Sequence, residues 1–400
     1  MTGSRNSDLA SLTLAQAASR LRGHQVTSVD LTEACLERID VYNPKLDSFI
    51  TVTKPQALAA ARQADLEIQA GKYRGTLHGI PFAAKDNIDT AGVKTTGGSA
   101  LFADRVPVED ATVIDRLKAA GAVLLGKTNL QEFALGASNN SDWGPVRNPW
   151  NLLHYGGGSS SGSGAAVTAY IDYVAGMEQS VNHFRLGIPT GHFDGLQPEV
   201  EKAVMEAIAL LATITRGTKE MTLPPLGNAV NLEPEILAWH EQYFKTQPDK
   251  YSAPVRRSLA VATATNARAE DYIRAVWALQ ELRRRVDHSF SEVDLVVLPT
   301  TRVVAPPIGE LLQRDANPKP GDSLKDYPSC IFFNVYGLPA ISVPCGFSKT
   351  GLPIGLTIAG PHFSESRILA LANAYEKATD WHQRIPPLTP DTPVPQIDVP

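Results

Sequence analysis

An α/β protein with a helix-covered sheet is the fold class the sequence predicts, and three observations predict it. First, the short apolar run Leu77-His78-Gly79-Ile80-Pro81-Phe82-Ala83-Ala84-Lys85 has the length of a buried strand. Second, helical periodicity over Ala111–Ala120 leads straight to another such run, Ala122-Val123-Leu124-Leu125, and then to a short helix over Leu130–Leu135. Third, strand-length apolar runs return at Leu295-Val296-Val297-Leu298, Ala340-Ile341-Ser342-Val343 and Ile354-Gly355-Leu356-Thr357-Ile358. Strand and helix signals in alternation mean an α/β sheet. The rhythm fails from about Gly136 to Phe184, where no strand-like run is found, so the sheet is expected to be incomplete in its centre.

The elements before and after that break follow in order. Residues 1–75 form a helical N-terminal part. Leu14, Ala17, Ala18 and Leu21 mark one helix, and Leu31, Cys35, Ile39 and Val41 a second, opened by Thr27 or Ser28; Pro55 starts a third that stops at Gly71. After the break, Leu186-Gly187-Ile188-Pro189 reads as a strand, and a helix opens at Pro198 with Val200, Val204, Ile208 and Leu211 on one face. Helical segments fill 233–290, where Arg283-Arg284-Arg285 is a solvated helix end. A last helix covers Glu365–Thr379, and residues 386–400 form a Pro-rich loose tail. No internal repeat and no linker is found, so residues 1–400 read as a single domain.

Composition excludes several function classes. A net charge of −5 with 20% charged residues gives no electrostatic reason to expect DNA or an acidic membrane surface as partner. The three cysteines, Cys35, Cys330 and Cys345, are far apart and not in metal spacing, so a reduced compartment is expected and no metal. The N-terminus is polar, without an apolar signal core, and no apolar run approaches the roughly 20 residues needed to span a bilayer. The expected location is cytoplasmic.

Inside the break lies the most unusual stretch, Gly156-Gly157-Gly158-Ser159-Ser160-Ser161-Gly162-Ser163-Gly164, which passes into Ala165-Ala166-Val167-Thr168-Ala169. Five glycines and four serines in nine residues cannot pack as helix or strand, whereas the Ala-rich continuation is helical, with Ser161 or Ser163 as N-cap. Hydroxyls and amides are thereby aimed from a helix N-terminus, which favours developing negative charge. A plain flexible linker has the same composition, but a linker does not end directly in a helix. No Gly-Lys-Ser/Thr follows and no G-x-G-x-x-G fits, so neither a nucleotide phosphate loop nor a dinucleotide cofactor is supported; no cofactor is expected. Gly158-Ser159-Ser160-Ser161-Gly162 matches the G-x-S-x-G nucleophile elbow of esterases. An esterase using Ser160 would need His362 or His382 as partner, and the turn-like Asn148-Pro149-Trp150-Asn151 stands where an elbow needs a strand.

Lys85 is the second anomaly. An ammonium at the end of an apolar strand is costly to bury, so burial should push Lys85 toward the neutral amine, which is a competent general base. The plainer alternative is a strand-end lysine paired with Asp86 or Asp89.

Together the two stretches resemble a known family. Gly79-Ile80-Pro81-Phe82-Ala83-Ala84-Lys85-Asp86-Asn87, Gly126-Lys127-Thr128-Asn129-Leu130-Gln131-Glu132-Phe133, Arg147-Asn148-Pro149-Trp150 and Gly157-Gly158-Ser159-Ser160-Ser161-Gly162-Ser163 are similar to the amidase signature family. So are Pro299-Thr300-Thr301, Phe333–Pro344 and Gly351–Leu356, so the resemblance covers almost the whole chain. It implies the amidase-signature fold, a mixed β-sheet with helices on both faces. It also implies hydrolysis of small-molecule carboxamides by a Ser–cis-Ser–Lys triad, or service as the glutaminase subunit of a tRNA-dependent amidotransferase with its partner subunits and tRNA. Lys85 matches the family's base. Ser159 matches the bridging serine, held in a cis peptide, and Ser160, Gly157 and Gly158 are supporting residues.

The family's nucleophile has no match. After the Ala-rich helix the family has a strand and a turn ending in Gly-Gly-Ser, which supply the nucleophile and oxyanion-hole amides. Here Tyr170-Ile171-Asp172-Tyr173 passes directly into a later family segment, so a stretch is missing near 170–173. Thr95-Thr96-Gly97-Gly98-Ser99 matches a different loop, and Ser160 and Ser180, the latter expected on a helix, have no better claim. The expectation is an impaired or inactive amidase, a truncated pseudoenzyme, or a non-catalytic binding module of the same fold. It should have exposed sheet edges, and residues 165–185 should form a poorly packed connection.

Overall fold

Threonine caps open the helical N-terminal part. α1 (Leu14–Arg22) begins at a capping box in which Thr13 Oγ1 accepts from Gln16 N at 3.1 Å and Gln16 Oε1 accepts from Thr13 N at 2.9 Å. α2 (Ser28–Leu46) repeats the device with Thr27 and Asp30. Asp65 of α3 (Lys54–Gln69) then accepts from Ser28 N at 2.6 Å and Val29 N at 3.1 Å, a carboxylate on the positive end of α2 that locks the two helices together. The computed structural model describes residues 9–135, 141–170, 180–227, 233–265, 268–316 and 329–397.

Against these helices lies a three-stranded sheet. Its strands are β1 (Phe49–Val52), β2 (Pro81–Lys85) and β3 (Val123–Thr128), in the order β1-β3-β2. β2 runs parallel to β3, joined through α4 (Thr112–Ala119), and β1 runs antiparallel to it. Leu36, Ile39, Phe49, Ala57, Ala61, Val123 and Leu125 form one buried cluster beneath it. β2 is an outer strand among the described residues, and its Ala83 is exposed.

Next come β4 (Arg147–Asn148) and β5 (Asn151–Tyr155), a two-stranded ribbon, and α5 (Ser161–Tyr170). A five-stranded sheet follows in the order β7-β6-β8-β10-β9, mixing parallel and antiparallel pairs. Its strands are β6 (Leu186–Pro189), β7 (Thr218–Met221), β8 (Leu295–Pro299), β9 (Ala340–Phe347) and β10 (Pro353–Ala359). β8 is buried along its whole length, so it reads as a continuous apolar run rather than an alternation. Leu295 and Val297 pack with α6 (Pro198–Ile214) and α12 (Glu365–Lys377). Val296 and Leu298 pack on the other face with α9 (Ala269–Arg285) and α11 (Ser329–Tyr336). α7 (Glu233–Thr246), α8 (Ala253–Thr265) and α10 (Ile308–Ala316) complete the helices.

The architecture is mixed α/β with helix-covered sheets, and it departs from the sequence reading in particulars. β1, β4, β5, β7, α10 and α11 were not expected, and a strand does precede the Gly/Ser loop. The segment expected as a helix over Leu130–Leu135 is one 3-10 turn, Glu132–Ala134, because Phe133 and Ala134 take φ of 51° and 59°. Ser180 stands on no helix; its hydroxyl donates to Asn182 Oδ1 at 2.9 Å. Of the 165–185 connection, 171–179 lie outside the described residues. At its ends Ala165, Ala166, Val181 and Phe184 are buried. The C-terminal segment is tied down at two points, where its carbonyls at Thr392 and Pro395 accept from Lys45 Nζ at 2.5 Å and Arg147 Nη1 at 3.3 Å. Cys35 and Cys345 are free thiols, whose burial pushes them up to about 11 and about 12.

Candidate active site

β2 delivers Lys85 at its end, in register with Thr128 of β3. The Gly/Ser loop, running from β5 to α5, delivers Ser159 to the same point, and Lys85 Nζ lies 2.8 Å from Ser159 Oγ. The Gly158–Ser159 peptide is cis. Gln131 N donates to Ser159 O at 3.1 Å, and Gln131 Nε2 donates to the Tyr155 hydroxyl at 2.8 Å, which fastens the loop to the segment after β3. Glycine is required at two points of this approach. A Cβ on Gly158 would stand 1.8 Å from the Tyr155 hydroxyl, and one on Gly162 would stand 2.3 Å from Ser48 O. α5 is anchored beside them by Gly162 N donating to Asn129 O at 2.9 Å and by a 2.7 Å contact between Thr128 Oγ1 and Ser163 Oγ.

The surroundings of Lys85 shift it toward the amine form. It is half-buried, burial holds its pKa below the usual lysine range, and no carboxylate pairs with it among the described residues. Its neighbours are engaged elsewhere. Asp86 Oδ2 accepts from Thr96 N at 2.8 Å and Thr96 Oγ1 at 2.5 Å, while Asp89 receives a bidentate pair from Arg105 at 2.7 and 2.6 Å. The cation nearest Asp86 is Lys127 Nζ, 3.9 Å from Oδ1, with both side chains at 0% exposure. Lys127 also donates to Ile88 O at 2.6 Å and Thr95 Oγ1 at 2.8 Å, and burial pushes it down to about 8. Sequence reasoning missed Lys127. The signal that singled out Lys85, a lysine ending an apolar strand, was present there too.

Other serines are placed differently. Ser99 is buried and donates to Glu132 Oε1 at 2.6 Å, and Ser252 N donates to the other oxygen of that carboxylate at 3.0 Å. Ser161 is 1% exposed, and its hydroxyl finds no partner among the described residues. Ser160, Gly157 and Gly158 are exposed on the loop surface. The elbow reading gains a preceding strand in β5, but β5 pairs with β4 and bridges Pro307 through His154 rather than joining either larger sheet, and no histidine bonds to Ser160 among the described residues. His362 Nδ1 is instead 2.9 Å from Asp287 Oδ2, and His382 Nδ1 has no partner among the described residues. Among the described residues no cluster of three or more His, Cys, Asp or Glu could hold a metal ion, and no helix is long and apolar enough to cross a membrane.

Comparison with known proteins identifies chains similar to this one. The Amidase family model matches residues 30–175 and 170–369. The A-subunit of the glutamyl-tRNA(Gln) amidotransferase of Azotobacter vinelandii is 33% identical over 489 residues, a match that takes in 94% of this chain and 99% of that protein. The corresponding protein of Chloroflexus aggregans is 33% identical over 494 residues, covering 95% and 99%. Both matches run longer than the 400 residues of this chain. Among solved structures, a crystal structure of an amidase superposes with a TM-score of 0.78 at 24% identity, covering 92% of this chain and 99% of that one. The peptide amidase of Stenotrophomonas maltophilia gives 0.74 at 24%, covering 96% and 100%.

Proposed function

Because the chain belongs to the amidase family, we propose that its chemistry is hydrolysis of carboxamide C–N bonds through Lys85 and Ser159, and that it lacks the serine that attacks the carbonyl. The observation that carries the first half is the 2.8 Å contact between Lys85 Nζ and Ser159 Oγ. In this reading neutral Lys85 takes the proton of Ser159, Ser159 takes the proton of the attacking hydroxyl and gives it to the departing amine, and the Lys85 ammonium returns its proton to Ser159. Three observations support the second half. The family model matches in two pieces that meet at 170–175, and the relatives' matches are longer than the chain. The three- and five-stranded sheets share no strand pair among the described residues. Removing one member of a catalytic triad elsewhere costs on the order of 10⁴–10⁶ in kcat, so amide turnover is strongly impaired.

Inserting at 170–173 a family segment that ends in Gly-Gly-Ser tests this. Amide hydrolysis that appears with the insertion, and disappears again in Lys85→Met, is the expected result. A folded insertion protein without turnover would favour a non-catalytic binding module. The 33% identity to the A-subunits of amidotransferases favours a second reading, a glutaminase-type subunit that works with partner subunits and tRNA. Co-purification with the partner subunits of a relative's complex tests that.

A further inference from the structure

Lys85 and Ser159 form a pair that does not need a third residue to do chemistry, and we propose that Ser159 is itself an acyl-accepting nucleophile, driven by Lys85, toward activated esters and phosphonyl fluorides. The proposal rests on the Lys85–Ser159 pairing of the proposed function and changes the role of Ser159 from relay to attacker. Four features carry it. Lys85 Nζ is 2.8 Å from Ser159 Oγ, within reach for direct proton transfer. Burial without an acidic partner holds Lys85 below the ordinary lysine range, the direction that favours proton acceptance. Ser159 keeps part of its surface in solvent between exposed Gly158 and exposed Ser160, so an acyl group can approach Oγ. Of the other hydroxyls nearby, Ser163 meets Thr128, Ser99 meets Glu132 and Ser161 is buried, while exposed Ser160 has no contact with Lys85 among the described residues.

The step balances with water alone. Ser159 Oγ–H gives its proton to Nζ as the Oγ–acyl bond forms and the bond to the phenolate leaving group breaks; with a phosphonyl fluoride the Oγ–P bond forms, the P–F bond breaks and fluoride leaves. The ammonium then returns its proton to the phenolate. Lys85 next deprotonates a water that cleaves the acyl-serine, releasing the acid and restoring the hydroxyl. An aryl ester suits this pair because phenolate departs without prior protonation, whereas an amine does not.

The test is labelling of the full chain with a fluorophosphonate, with the modified residue mapped by mass spectrometry. It is run beside Ser159→Ala, Lys85→Met and Lys85→Arg, each checked for native circular dichroism. The expected result is one adduct on Ser159, with a rate at least about 10²-fold lower in both Lys85 variants and rising with pH to a plateau below 10.5, the ordinary lysine value. No serine adduct in folded protein overturns the proposal and leaves the incomplete-triad reading intact. Labelling of Ser159 at an unchanged rate in Lys85→Met also overturns it. An adduct on a different serine that needs both Lys85 and Ser159 overturns it and, in addition, the claim that the attacking serine is missing.

Discussion

Lys127 and Asp86 face each other in the interior, Nζ 3.9 Å from Oδ1, with neither side chain touching solvent. Asp86 directly follows Lys85, and Lys127 directly precedes the Thr128 that registers with Lys85, so this pair lies behind the candidate site. Oδ1 of Asp86 makes no hydrogen bond among the described residues.

Desolvation dominates both partners, lifting the Asp86 carboxyl and pushing Lys127 down to about 8. Between about pH 8 and 10.5 the unfolded chain holds the proton that folded Lys127 has lost, so stability rises with pH there. For Asp86 the folded chain holds the extra proton just above pH 3.8, so stability falls as pH rises through that window. Burial opposes charging in both. Breaking the pair by Asp86→Asn or Lys127→Met should each cost about 3–5 kcal/mol, and the double substitution should cost much less than the sum. Urea unfolding of the four proteins at pH 7 measures this; additive losses would show that the two groups are not coupled.

His240 supplies an acid-side prediction. It is 4% exposed, its Nδ1 lies 2.9 Å from the Tyr251 hydroxyl, and burial holds it at about 4. Folded His240 stays neutral where unfolded His240 is charged, between about pH 4 and 6.5, so its contribution is full above 6.5 and is lost as pH falls toward 4. His240→Gln should flatten that limb of a stability–pH curve taken by urea unfolding. An unchanged slope would place the acid sensitivity elsewhere.

Aggregation should run through β2. It is an outer strand among the described residues, and its mid-strand Ala83 is exposed. An unpaired edge recruits other strands, and a lysine on it blocks them. Ala83→Lys should slow aggregation on warming, as followed by light scattering, without lowering the unfolding midpoint. Equal aggregation would mean that another surface governs it.

How much was legible follows from which residues carry local signals. The Gly/Ser loop and the apolar run ending in Lys85 stand out by composition, and both lie where the site is. β8 and β10 were readable because buried strands are apolar throughout. β7, Thr218-Lys219-Glu220-Met221, is polar and half in solvent, and it is a strand only because β6 pairs with it. β5 follows a Pro-containing turn that masks it, and Phe133, at a positive φ, donates from its N to Gly97 O at 2.7 Å, a partner outside its own segment. Lys127 carried the same local signal as Lys85, but its pairing with Asp86, distant in sequence, is brought about only by tertiary structure.

The central claim, a Lys85–Ser159 pair without an attacking serine, is tested most directly by amide turnover of the purified chain as it stands. A panel of simple carboxamides, glutamine included, is incubated with the chain, with Lys85→Met and with Ser159→Ala, and ammonia release is measured. The account predicts that the unmodified chain releases no more ammonia than either variant. Turnover by the unmodified chain that is lost in both variants would contradict it, because a complete triad would then be present.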